Sequence, residues 1–257
     1  LYTRENFNKI DLNRDAKENS QLESKLLNSY FEKIKPNYCF NLHDQRTIYG
    51  GENGNNPSGL SFLAPCYDYE NSINSSRANA MFLIEGIYSE LSNIINDKVR
   101  LYDDNYNYNC FGDHFQKKGS STVLFESGFF DLDYNRETTR KYMFVSLVIA
   151  LNIICNKKNY TSKVKYSLIP KNKIRFFDII LNNVSAKNSG IQVGVNFKET
   201  LLDNEIIFKP IIRDRGDLTN FSSHRDIDLS SINYNRDSIS FKIGAELNES
   251  LVNSLNL

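Results

Sequence analysis

Two periodicities organise residues 1–156, and each change between them marks an element. Leu22, Leu26, Leu27, Tyr30, Phe31 and Ile34 recur at helical spacing, which predicts an amphipathic helix with these six on its core face. Ser20-Gln21-Leu22-Glu23 has the form of a capping box and places the start of that helix, and Pro36 ends it. Tyr38 to Leu42 reads as a short strand with His43 at its C-terminal end. A polar loop with Gly50, Gly51, Gly54 and Gly59 follows, and Leu60 to Leu63 is a second short strand. Ser76 to Ile95, with Met81, Ile84, Tyr88, Leu91 and Ile95 on one side, is a helix. Next come a loop dense in Asp, Asn and Tyr (Tyr102 to Cys110), a short helix (Gly112 to Lys118) and a buried strand (Thr122 to Phe125) that ends at Glu126. Asn135 to Cys155 is the longest helix.

Strands alternating with helices imply an α/β fold, a mixed sheet flanked by helices on both faces. Sites in such sheets lie beyond the carboxyl ends of strands, where His43 and Glu126 both fall. The pattern changes near Lys157. Val164 to Tyr166, Ile174 to Ile180, Ile191 to Phe197, Ile206 to Ile212 and Ile239 to Ile243 are β-branched and aromatic runs separated by turn-rich segments. The expected organisation is an α/β domain over residues 1–156 and a β-rich domain or subdomain over residues 157–257.

Charge and composition narrow the classes. The 31 basic and 31 acidic residues cancel, so the basic footprint of a nucleic-acid binder is absent. Hydrophobic residues make up 40 % of the chain, enough for a core. The four cysteines form no CxxC pair, which argues against a structural zinc knuckle. Cys39 and Cys155 sit in apolar runs and are expected to be buried free thiols, as in a cytoplasmic protein. The apolar stretch Tyr142 to Cys155 is too short to span a bilayer and reads as a core helix, so no membrane partner is expected. No signal peptide is visible. The chain opens on Leu1 and not on methionine, so upstream sequence is expected to be missing.

Three short motifs carry candidate chemistry. Glu126 follows four apolar residues, and a carboxylate at the edge of a buried strand has its pKa raised by desolvation, which suits a general base. The plainer reading is a solvated strand-end glutamate. His43 ends a strand beside Asp44, a carboxylate able to orient the ring of a zinc ligand; a lone histidine is more often structural. Asn13 and Arg14 offer a neutral donor and a planar fork for a carboxylate, against a surface arginine paired to Asp11 or Asp15. His114 and His224 are taken as structural or exposed.

An Asn-Arg pair, a strand-ending His and a strand-ending Glu before Gly, in that order, resemble the carboxypeptidase A-like family of zinc metallopeptidases. DLNRDAKENSQLES, FNLHDQRTIYG, VLFESGFF and NRETTRKYMF are similar to a bacterial branch of it, over roughly residues 4–155. The resemblance implies that Asn13 and Arg14 grip the substrate's C-terminal carboxylate, His43 is a zinc ligand and Glu126 activates water. It implies a zinc cofactor and a peptide substrate. N-acyl amino acids and peptidoglycan stem peptides, which also carry a carboxylate, are alternatives on the same scaffold. A non-catalytic module that binds peptide carboxylates is the alternative outside enzymes. Phe111 to Asp113 fall where the family floors its specificity pocket, and Asp113 there favours basic residues.

The chain departs from the family in three ways. The HxxE motif that supplies the other two zinc ligands is missing: Arg46, Lys117 and Ile227 stand where the Glu would follow each histidine. The arginine that polarises the scissile carbonyl belongs upstream of the Asn-Arg pair, and Arg4 is the one candidate. The mobile tyrosine of the digestive members corresponds to Tyr102, Tyr106 or Tyr108, with no basis for choosing among them. A fragment of an active enzyme and a degenerate paralogue both fit.

Overall fold

The computed structural model describes residues 3–45, 48–51, 56–157, 160–184, 190–232 and 239–257. Arg46 and Gly54, both named above, lie outside them. The described residues form a mixed α/β structure with two mixed four-stranded sheets and five α-helices. The chain divides into two compact units, Leu1–Thr47 with Ser58–Asn172, and Ile48–Pro57 with Lys173–Leu257. The division thus falls at residue 172, and part of the glycine-containing loop joins the second unit.

In the first unit β1 (Tyr38–Asp44), β2 (Leu60–Leu63), β3 (Val99–Leu101) and β4 (Ser121–Ser127) form a sheet in the order β1-β4-β2-β3. β1 runs parallel to β4, β4 antiparallel to β2, and β2 parallel to β3. Side chains alternate across a strand, so Val123 and Phe125 share one face with Leu60 and Phe62. That face packs on Leu83, Ile84 and Ile87 of α2 (Ser75–Leu91) and on Ala150 and Ile153 of α4 (Glu137–Cys155), all nearly free of solvent. The other face receives α3 (Phe111–Lys117), which packs on β1 and β4. Buried Gln116 fastens it there, accepting from Thr122 N at 2.9 Å and donating to Ser76 Oγ at 2.8 Å.

α1 (Leu22–Ile34) is placed as the periodicity predicts, but its packing face is a different one. Leu22, Leu26, Leu27, Tyr30 and Ile34 are 45–78 % exposed, and only Phe31 of the six is buried. Phe31 stacks on Phe115 of α3 at 4.1 Å, and Asn28 donates to Ala16 O at 3.2 Å. Contact therefore runs along Ser24, Asn28 and Phe31, and the leucine face looks outward. The capping box also does not form. Gln21 is the N-cap and makes no side-chain cap bond; buried Asp15 takes that role, accepting from Ser20 N, Ser20 Oγ and Gln21 N at 2.7–3.0 Å. Lys35 ends the helix in the left-handed conformation, consistent with Pro36 barring it from a helical one.

The second unit orders its strands β7-β6-β5-β8: β5 (Phe176–Asn182), β6 (Gln192–Leu202), β7 (Glu205–Gly216) and β8 (Ser222–Asp228). α5 (Glu249–Leu255) adds Leu251 and Leu255 to its core. Two expected β runs are not strands. Tyr166–Leu168 is a 3₁₀ turn, and residues 239–243 are irregular, with Phe241 buried in the core and Ile243 exposed. Cys155 is exposed and Cys39 half-buried, so neither is the fully buried thiol expected, whereas Cys66 is. α4 is long and apolar enough to cross a membrane by length and composition alone, and 22 % of it is buried in this fold.

Burial alone would raise the Asp15 carboxyl, but the hydrogen bonds from Gln21 and Ser20 outweigh it and hold the group at about 2, below its ordinary 3.8. The stability that Asp15 contributes is therefore complete above pH 3.8 and lost as pH falls toward 2. Asp15→Ala should cost about 2 kcal/mol at neutral pH, since each unit of the depression is worth about 1.4 kcal/mol. In urea titrations of both proteins the deficit should shrink between pH 4 and pH 2; a deficit independent of pH would refute the cap.

Candidate functional site

The polar face of the first sheet gathers the candidate residues. In the β1–β4 register His43 pairs with Glu126, and Glu126 pairs in turn with Ser61 of β2. Ser61 pairs with Arg100 of β3. Registered neighbours share a face, so His43, Glu126, Ser61 and Arg100 form one row across the sheet. His43 and Glu126 stand inside their strands, one residue short of the C-terminal ends, not beyond them.

Local sequence explains why the row forms. Gly128 follows the glutamate because a Cβ there would sit 2.0 Å from Ser58 O; without one, Gly128 N and Phe129 N donate to Gly59 O and Ser58 O. Arg136 then ties the two strand ends together. Its Nη2 reaches both Asp44 Oδ1 and Ser127 O at 2.5 Å, the residues just after His43 and Glu126. Asp44 thus belongs to Arg136, and it is Asn41 that meets the His43 ring.

His43 Nε2 lies 3.0 Å from Asn41 Oδ1 and 3.4 Å from Asn13 Nδ2. The two contacts call for opposite tautomers: Asn41 Oδ1 accepts from Nε2 when that nitrogen carries the hydrogen, and Asn13 Nδ2 donates to Nε2 when it does not. Gly112 gives Asn41 room, since a Cβ there would stand 3.0 Å from Asn41 Nδ2. Burial first, then the charges of Arg4 and Arg14, lower the His43 pKa, so the imidazole is neutral at pH 7.

The 3₁₀ turn Leu12–Arg14 presents the Asn-Arg pair. Asn13 Oδ1 accepts from Phe111 N at 2.9 Å, which turns its Nδ2 toward His43. Arg14 is exposed and pairs with neither nearby aspartate: Asp11 meets Arg4 at 3.1 Å and Asp15 caps α1. Its Nη1 donates to Asn13 O and Cys110 Sγ, both at 2.8 Å, which leaves Nε and Nη2 for an incoming group. A pocket of about 220 Å³ opens between these elements, lined among others by Leu12, Asn13, Leu27, Asn41, His43 and Phe111. Glu126 and Arg14 do not line it.

Glu126 is 6 % exposed. Burial, reinforced by the Asp44 charge and opposed by Arg4, pushes its pKa up from 4.5 to about 7. Arg4 therefore sends its field to both Glu126 and His43. Asp113 is raised to about 6 by burial, while its carboxylate accepts from Asn107 N at 3.0 Å. Tyr106 and Tyr108 stack on each other, with Lys117 Nζ 4.4 Å above the Tyr108 ring. His114 is buried against Tyr108, and His224 meets the Phe176 ring edge-on.

Sequence reasoning missed Asn41, Arg136 and Arg100. Alternation from His43 back to Asn41 marks the first. The other two become visible only through strand register. Arg100 is buried, with Nη2 on Asp97 Oδ1 at 3.0 Å and with Nε and Nη1 unpaired. Among the described residues no group of three His, Cys, Asp or Glu is placed to hold a metal ion. No family model matches this chain, and neither does any curated protein or solved structure.

The Glu126 environment makes a measurable statement. The folded protein holds this proton above pH 4.5, where the unfolded chain releases it, so stability falls as pH rises from 4.5 to about 7 and is level beyond. At about 1.4 kcal/mol for each pH unit, the cost at pH 7 and above is roughly 3 kcal/mol. Infrared titration of the carboxyl band should find a midpoint near 7, lowered in Asp44→Asn and raised in Arg4→Ala. A midpoint near 4.5 would show that the carboxyl is solvated.

Proposed function

We propose that this chain carries the substrate-recognition and proton-transfer parts of a carboxypeptidase-type amide hydrolase acting on substrates with a free carboxylate. The observation that carries the reading is the row placing His43 beside Glu126 on one sheet face, with the Asn13 amide at the imidazole. In this reading Arg14 Nε and Nη2 form a two-pronged contact to the carboxylate, and Asn13 adds a neutral donor. Glu126, titrating near neutrality, removes a proton from the attacking water and returns it to the leaving amine. Arg4 lies close enough to influence Glu126 and would stabilise negative charge developing on the carbonyl oxygen.

The described residues do not fit a zinc site by themselves. Zinc takes three or four protein ligands, and His43 supplies one. Hydrolysis is thus proposed only for a form in which other polypeptide brings the remaining ligands to His43. The open edge of β1 and the exposed leucines of α1 support further packing there. The free Nε and Nη2 of Arg14 support a second reading as well, a metal-free module that binds peptide carboxylates. Side-chain preference and the choice between peptides and N-acyl amino acids belong to the substrate assay.

Equilibrium dialysis with elemental mass spectrometry should find no stoichiometric, chelator-resistant zinc on the 257-residue chain, and no carboxypeptidase turnover should accompany it. A form extended upstream with the missing ligands should gain both, and Glu126→Gln in that form should abolish turnover while zinc stays bound. Tight zinc on the chain as it stands would mean that the ligands have been misidentified. Peptide binding that survives chelator and vanishes in Arg14→Ala, without turnover in the extended form, selects the second reading.

A further inference from the structure

Arg77, in the first turn of α2, is 2 % exposed and spends its donors on three separate segments. Nε donates to Ala64 O at 3.2 Å, after β2. Nη1 donates to Asn71 O at 2.7 Å and Ser72 O at 3.0 Å. Nη2 donates to Asp104 Oδ2 at 2.5 Å. Of these four acceptors only Asp104 is charged. A buried guanidinium that loses its anion becomes an uncompensated charge, so the pair is strongly held. The other oxygen of Asp104 lies 2.7 Å from Cys66 Sγ. Burial and the Asp104 charge push that thiol up to about 12, so it stays protonated and donates.

Asp104 opens a loop whose far end is the Asn13-Arg14 turn. Asn109 O accepts from Ala16 N at 3.2 Å, and Asn109 Oδ1 accepts from Lys17 N at 3.1 Å. Cys110 Sγ receives Arg14 Nη1 at 2.8 Å, and Phe111 N donates to Asn13 Oδ1 at 2.9 Å. Between the anchors the loop is braced: Asn107 N donates to Asp113 Oδ1, and Tyr106, Tyr108 and Lys117 stack. A displacement at Asp104 has little slack to absorb it before Cys110.

We infer that Arg77 and Asp104 are positioning residues for the Asn13-Arg14 clamp: their ion pair pins the loop that sets where the Arg14 guanidinium lies. The inference rests on reading Arg14 as a carboxylate clamp. Neither residue touches substrate, and both act through the loop.

The test uses the full chain with Asp104→Ala, which removes the acceptor, and Asp104→Asn, which keeps one and should rescue part of the effect. Alkylation by iodoacetamide is followed at each cysteine by peptide mass spectrometry, and calorimetry measures affinity for N-benzoyl-glycyl-phenylalanine and for its C-terminal amide. Cys110 should react about tenfold more slowly in Asp104→Ala, because the thiol loses the Arg14 guanidinium that favours its thiolate, and a charge-assisted hydrogen bond is worth about one pKa unit or more. Asp104→Asn should be intermediate, with Cys39 and Cys155 at wild-type rates. Affinity for the free acid should fall in the same order. The inference is overturned if Cys110 keeps its wild-type rate, if Cys39 and Cys155 change with it, or if Cys110 slows while acid affinity is unchanged; Cys66 touches Asp104 directly and changes in either case. If Asp104→Ala does not fold, Asp104→Asn carries the comparison. If the wild-type chain binds neither acid nor amide, the carboxylate reading fails, and the Cys110 rates still decide whether Asp104 positions Arg14.

Discussion

Parallel pairing of β1 with β4 in the register His43 to Glu126 is the constraint on which the candidate site depends. A slip of one residue would turn either side chain into the apolar core under α2 and α4. Two features near the strand ends oppose such a slip. Gly128 lets the chain pass Ser58 O at a distance that no side chain tolerates, and Arg136 bridges Asp44 and Ser127. On the core face, Val123, Phe125, Leu60 and Phe62 are fully buried, so a slip would also expose a row of large apolar groups. Packing and chemistry therefore specify the same register from opposite faces of one sheet.

The electrostatics follow from that placement. Glu126 sits where water is scarce and the Asp44 charge is near, which keeps it protonated into the neutral range. His43 is kept neutral by burial and by two arginines. A carboxyl able to exchange a proton beside a neutral imidazole is the feature on which the proposed amide hydrolysis rests. Asn13 and Arg14 are held separately, by hydrogen bonds to Phe111 and Cys110.

How much of this was legible in the sequence depended on whether local pattern or long-range pairing decides a residue's role. Helices α1 to α4 and strands β1, β2 and β4 stand where periodicity puts them, because period and punctuation are local signals. The leucine face of α1 was misassigned because spacing identifies an apolar face without saying what it meets; Phe31 found Phe115, and the leucines found no partner within the described fold. The capping box failed because Asp15, buried and preorganised, takes the Ser20 N–H that Glu23 would have met. β8 was missed because Ser222 to Asp228 is polar and pairs only with β5 at an edge. Asp44 was given to the wrong partner, since its neighbour in sequence is His43 while its neighbour in space is Arg136. The three motifs marked residues that the fold gathers on one face, apart from Arg14, which stands beside Cys110 at its margin.

The central claim is that His43, Asn13 and Glu126 share one face of the sheet in solution. It is tested most directly by ¹⁵N NMR of the imidazole and side-chain amide signals in wild-type protein and in Glu126→Gln. Shared occupancy predicts that the His43 ring and Asn13 amide signals move together on this substitution while those of His114, on α3 and buried against Tyr108, stay in place. His43 signals unchanged by the loss of the carboxyl would contradict the pairing, and the site built on it would fall.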